Sequence, residues 1–231
     1  MKNQIQQILN RVPDLRPHLT SKARIAFDVI PPIKSAELFN NRLEKLVEET
    51  YAGGKAEDTF VEEMALLIAA YLLLAYRSAW QDNGGGNKLP DYLDIAYRAA
   101  VLEQYVYIEQ YHDDIITART NQTPIDPLLA RTQLWATRYE EQYNNANILM
   151  AKEEGVNLVW KYGDTDHCDT CRKLDGIVAS ENDWRTVGVV PQAAPNPKLD
   201  CEGWRCQCTL SITTQKRSKN ALNRITEAVY G

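Results

Sequence analysis

The sequence predicts a mainly α protein, a bundle-like helical body followed by a small C-terminal α+β module stapled by zinc. Three observations carry that expectation. Between Ser35 and Glu154, apolar residues recur at helical spacing in four long segments separated by glycine and proline stops. After Gly155 the helical period gives way to short β-rich stretches. All five cysteines then fall in one region, as Cys168-Asp-Thr-Cys171 and Cys201-Glu-Gly-Trp-Arg-Cys206-Gln-Cys208.

A chain of 231 residues suffices for one large domain, or for a domain with a small module attached. Hydrophobic content of 44% with 25% charged residues is that of an ordinary globular protein. The first residues, Met1-Lys-Asn-Gln-Ile-Gln-Gln, lack the apolar stretch of an export signal, so the thiols are expected to meet a reducing cytosol. The most apolar run, Met64 to Tyr76, is too short for a bilayer and reads as a buried helix; no membrane partner is expected. The net charge of −5 is uneven: +3 over residues 1–30, −9 over 31–160 and +1 over 161–231. An acidic body disfavours non-specific nucleic-acid binding, so any DNA contact would use the ends of the chain.

Residues 1–34 read as an N-terminal arm. Lys2 to Val12 is amphipathic and stops at Pro13, and a short element from Ser21 to Ile30 ends at Pro31-Pro32. The helical domain, 35–155, begins with Ser35 as N-cap and carries Leu38, Leu43, Leu46 and Val47 on one stripe up to Gly53-Gly54. A second helix spans about Asp58 to Asp82 before the Asn83-Gly-Gly-Gly-Asn87 turn. The third follows Pro90, with Leu93, Tyr97, Val101, Ile108 and Ile115 at helical spacing, and is broken at Thr123-Pro124. Asp126 is expected to cap the fourth, with Pro127 at its first position and Gly155 after its end. The cysteine-rich module, 156–215, opens with a strand over Val156–Tyr162. Asp175-Gly176 is a hairpin signal before Ile177-Val178, the stretch from Thr186 to Leu199 reads as irregular, and Thr209–Ile212 as a strand. Residues 216–231 read as a basic terminal helix carrying Lys216, Arg217, Lys219 and Arg224 against Glu227.

Five cysteines cannot pair completely within one chain, and clustered thiols in a reducing compartment more often bind metal. Two thiolates separated by two residues grip an ion from one tight turn, and a second group returning from a loop closes a tetrahedron. Twenty-nine residues separate Cys171 from Cys201, so the intervening loop is more than a finger tip. Zn2+ is the expected ion, held by four of Cys168, Cys171, Cys201, Cys206 and Cys208, with one thiol spare. Ordinary buried cysteines and redox thiols are the other readings of the same residues.

The run Trp160-Lys-Tyr-Gly-Asp-Thr-Asp-His-Cys168-Asp-Thr-Cys171-Arg-Lys-Leu174-Asp-Gly176, closed by Pro195-Asn-Pro-Lys-Leu-Asp-Cys201-Glu-Gly-Trp-Arg-Cys206-Gln-Cys208, resembles the C-terminal region of tailed-phage minor head proteins, the Mu F-like head morphogenesis family. The resemblance covers about residues 156–212. Gln207 stands where the family usually has Arg. Cys201 precedes Cys206 by five residues, where many relatives have a closer His, so the resemblance does not choose the four ligands. It implies a virion structural protein in the phage head, assembled in the host cytoplasm. The resemblance implies the portal and/or the major capsid protein as partners in an oligomeric assembly, with a role in head assembly at the portal or inner capsid, or in DNA packaging or ejection.

The alternative is a nucleic-acid-binding zinc protein using the basic terminal helix. An enzyme is not expected, nor a small-molecule substrate: no Walker loop, GxGxxG, GxSxG or HExxH occurs. Glu109-Gln-Tyr-His112 has the spacing of half a di-iron site, but no second such pair exists, and with Asp113 and Asp114 adjacent His112 is expected at a bundle surface. His167, beside Cys168, is expected to support the site without ligating. Five tyrosines of the third helix (Tyr92, Tyr97, Tyr105, Tyr107, Tyr111) read as packing and interface material.

Overall fold

The computed structural model describes residues 35–55, 57–163, 168–204 and 207–231; the expected N-terminal arm, His167 and Cys206 lie outside the described residues. The protein is mainly helical, with a three-stranded sheet near the C-terminus beside the cysteines. Four long helices come first: α1 (Ser35–Tyr51), α2 (Glu57–Asp82), α3 (Asp91–Thr120) and α4 (Asp126–Glu154). Asp126 is itself the first helical residue rather than the cap, since the Leu129 N–H already bonds back to the Ile125 carbonyl. Gly155 ends α4 at φ +67, a conformation that costs a residue with a Cβ. Then follow β1 (Asn157–Lys161), α5 (Asp169–Leu174), β2 (Val178–Ser180), α6 (Glu181–Val187), β3 (Thr209–Thr213) and α7 (Ala221–Tyr230).

Two compact units make up the chain. The first runs through Leu74 and adds Pro90–Tyr139. The apolar stripes of its helices form the core, with Leu43, Phe60, Met64, Ile68, Leu93, Ile108 and Ile115 almost fully buried. Among the described residues, α2 holds the one segment long and apolar enough to cross a membrane; 61% of that window is buried inside the protein. Aromatic contacts lock the layers: Phe39 stacks on Tyr71 at 3.9 Å, and Tyr111 meets Trp135 at 4.9 Å. The Tyr111 hydroxyl donates to the Leu128 carbonyl at 2.6 Å, so its buried polar end is satisfied. Tyr97 and Tyr111 pack inside, whereas Tyr107 is exposed. His112 is not at the surface as expected. It is buried against Phe60, ring centroids 5.4 Å apart, because it shares the helical face of Ile108 and Ile115.

The second unit comprises Ala75–Leu89 and Glu140–Gly231. Its sheet has the order β2-β1-β3, both pairs antiparallel, with Leu158 opposite Ala179 on one side and Ile212 on the other. The central strand buries Leu158, Val159 and Trp160 in succession, as a strand covered on both faces must. Trp160 lies 5.7 Å from Trp184 of α6 in a core that includes Cys171, Leu174, Cys208, Leu210 and Ile225.

Among the described residues, neither outer edge of the sheet is paired with a further strand. Along β3, the Leu210 N–H donates to Asn144 Oδ1 at 2.9 Å, and its carbonyl accepts from Asn147 Nδ2 at 2.9 Å. Just before β3, the Cys208 carbonyl accepts from Gln192 Nε2 at 3.0 Å. Along β2, the Val178 N–H donates to Ser218 Oγ, and its carbonyl accepts from the Ser218 N–H. Buried side-chain amides and one serine thus meet backbone groups that another strand would otherwise satisfy.

Three details differ from the expectations. Asp175-Gly176 does not form a two-residue hairpin: it ends α5 and leads into β2, with the Gly176 N–H bonded to the Trp160 carbonyl. The terminal helix begins at Ala221 rather than 216, because Ser218 is bound to Val178, and Arg217 to Asp183. The stretch expected to be irregular from Thr186 begins inside a helix, α6, which runs to Val187; it is opened by a reciprocal capping box between Ser180 and Asp183 and closed by Gly188 in the left-handed region.

Candidate metal centre

Three sulfurs converge in the second unit. Cys168 is the N-cap of α5, at φ −69 and ψ 162, and its sulfur accepts the Cys171 N–H at 3.4 Å. One helical turn therefore fixes both thiols of the Cys-x-x-Cys pair. Cys171 lies inside the turn and is fully buried. Cys201 comes from a compact turn in which Trp204 N–H bonds to the Cys201 carbonyl and Glu202 N–H to the Leu199 carbonyl. Glu202 and Gly203, at φ +51 and +79, reverse the chain there.

The Cys171 and Cys201 sulfurs are 4.0 Å apart, and those of Cys168, Cys171 and Cys201 all lie within 4.8 Å of one another. A disulfide would need about 2.05 Å, and these three cysteines are not disulfide-bonded to one another. Bonds of about 2.3 Å to a tetrahedral ion put neighbouring sulfurs about 3.8 Å apart, close to the observed spacing. The donor set therefore fits a thiophilic ion. Comparison with protein-family models, curated proteins and solved structures found no match. The site therefore rests on its own geometry.

Burial by itself pushes the Cys168 thiol up, but hydrogen bonds from the backbone and thiols of Cys171 and Cys201 outweigh it, and Cys168 is more acidic than an ordinary cysteine. The surroundings thus favour the thiolate, the form that ligates. Cys208 is nearby, fully buried and held through its carbonyl by Gln192. Tyr162, half exposed, marks the proximity of the two groups. Its phenol is pushed up first by burial, then by Asp175 and by the Cys208 and Cys171 sulfurs, with Arg172 opposing.

Of the five predicted ligands, the structure brings Cys168, Cys171 and Cys201 together with Cys208 close by, and Cys206 lies outside the described residues. Glu109 and His112 form no metal cluster among the described residues. Sequence reasoning missed Asp200 and Thr170. The Asp200 carboxylate accepts the Thr170 hydroxyl at 2.7 Å and its N–H at 2.9 Å, and these bonds hold Asp200 below the usual carboxylate range. Thr170 supplied one available signal, as a polar residue between two cysteines.

Proposed function

We propose that this chain is a phage minor head protein, a virion structural component of the head morphogenesis type whose C-terminal module is folded around one Zn2+. Cys168, Cys171, Cys201 and Cys208 would hold the ion, and four protein thiolates would make the site structural rather than open. The observation that carries the zinc reading is the convergence of three cysteine sulfurs from two separate segments. The head assignment is supported by the sequence pattern from Trp160 to Cys208.

Two experiments test this. Metal analysis of purified chain should give one zinc per chain; Cys208→Ser should abolish it and Cys206→Ser should not, and the reverse pattern would make Cys206 the fourth ligand. Mass spectrometry of purified phage particles should find the chain in heads; its absence from them would remove the head assignment and leave the metal reading standing. The nucleic-acid alternative gains little from the terminal helix. Lys216, Arg217 and Lys219 precede α7, and Arg217 is engaged by Asp183.

A further inference from the structure

We propose that Asp200 and Thr170 form a latch that sets the thiol cage before metal enters, making Asp200 a positioning residue for the site. The inference rests on the metal reading above. Cys171 and Cys201 are separated by twenty-nine residues, so nothing in the local chain fixes their distance. Thr170 immediately precedes Cys171, and Asp200 immediately precedes Cys201. One carboxylate oxygen of Asp200 accepts both the hydroxyl and the N–H of Thr170. The bond pair thus ties the two cysteine-bearing segments at the residue next to each ligand.

Thr170 is buried, 4% exposed, and its hydroxyl and N–H both point at the exposed Asp200 carboxylate, so the bond pair is part-buried. The cage needs three sulfurs from two separate segments within 4.8 Å of one another. The tie between Thr170 and Asp200 holds those segments together without itself occupying a ligand position. Hydrogen bonds that orient a site's ligands typically change metal affinity by about 10–100-fold when lost, and this pair orients two candidate ligands through the adjoining backbone. The carboxylate need not be charged to act so. An asparagine oxygen would also accept from Thr170, and a serine at 170 would keep both donors.

The full-length chain with Zn2+ alone as probe gives the test, using chelator competition for the Kd and Co2+ substitution for the ligand geometry. Asp200→Ala and Thr170→Val are expected to weaken Zn2+ binding about 10–100-fold, while Co2+ at saturation still shows a tetrahedral thiolate spectrum. Asp200→Asn and Thr170→Ser should bind within a few-fold of wild type. Thr170→Val keeps shape and burial, so it reports on the latch if Asp200→Ala fails to fold. Wild-type affinity in both disrupting variants would overturn the proposal, as would an Asp200→Asn chain as weak as Asp200→Ala. A wild-type chain that binds no Zn2+ would instead overturn the metal reading on which the latch depends.

Discussion

Replacing Gly163 by alanine should damage the cysteine site from a position that ligates nothing. A Cβ built there would lie 2.7 Å from the carbonyl carbon of Gln207 and closer still to that residue's oxygen and Cβ. Carbon atoms in contact prefer about 3.5–4.0 Å, so one backbone must retreat by about 1 Å. The neighbour is main chain, and no flexible side chain can absorb the change. Gln207 immediately precedes Cys208, so its displacement carries that cysteine along. Overpacking of this kind costs about 1–3 kcal/mol. A movement of about 1 Å also exceeds the roughly 0.2 Å tolerance of metal–ligand distances. The assay is urea denaturation followed by the fluorescence of buried Trp160 and Trp184, with metal content measured on the same samples. Gly163→Ala should lower the midpoint with little change in slope, and should release metal to a weaker chelator. Gly86→Ala, where an added Cβ meets nothing within 4 Å, is the control. Wild-type stability and metal retention in Gly163→Ala would refute the reasoning.

Metal removal should unfold the module and spare most of the helical signal: structural zinc contributes about 10–16 kcal/mol of apparent binding energy in small modules, so chelator should cut near-UV dichroism far more than far-UV. Asn144→Leu keeps the volume but leaves the Leu210 N–H and the Pro191 carbonyl without the partner they now have, and should cost about 2–4 kcal/mol by denaturation. Asp183 is held below its usual range first by Arg217, whose guanidinium bonds both carboxylate oxygens at 2.7 Å, while burial opposes. A depressed folded pKa means the pair's contribution is fully present above the unfolded value of about 3.9 and fades as pH falls through the folded one. Arg217→Met should therefore be less stable than wild type at pH 7, and the gap should narrow as pH falls below the unfolded value and through the lower folded one; a gap independent of pH would remove the ion pair as its cause.

The long helices were legible because each combines a sustained apolar period with a strong stop: Gly53-Gly54, the Gly84–Gly86 run, Pro124 and Gly155. The strands β1 and β3 were legible for a similar reason, being short β-rich runs beside turns. The short helices were not. α5 is opened by a cysteine sulfur, which is outside the usual capping set, and α6 by Ser180 with Asp183 in place of the common Glu or Gln. His112 was misplaced because Asp113 and Asp114 suggested solvent, although the spacing Ile108, His112, Ile115 already put it on the buried face. The thiol pairing was readable at the level of clustering. Its supporting bonds were not, since Thr170 meets Asp200 across thirty positions and Asn144 meets Leu210 across sixty-six.

The closed edges of the sheet have a practical consequence for where this protein can be cut. An edge strand with free backbone groups is a template for another chain, and here β3 is shielded by Asn144 and Asn147 from the helix before it. A fragment beginning at residue 156 would contain every cysteine yet leave that edge bare, inviting strand exchange between copies. One beginning near residue 140 would carry its own shield. The smallest fragment of the cysteine module that keeps this edge covered is thus set by two helical asparagines, upstream of the first thiol by more than twenty residues.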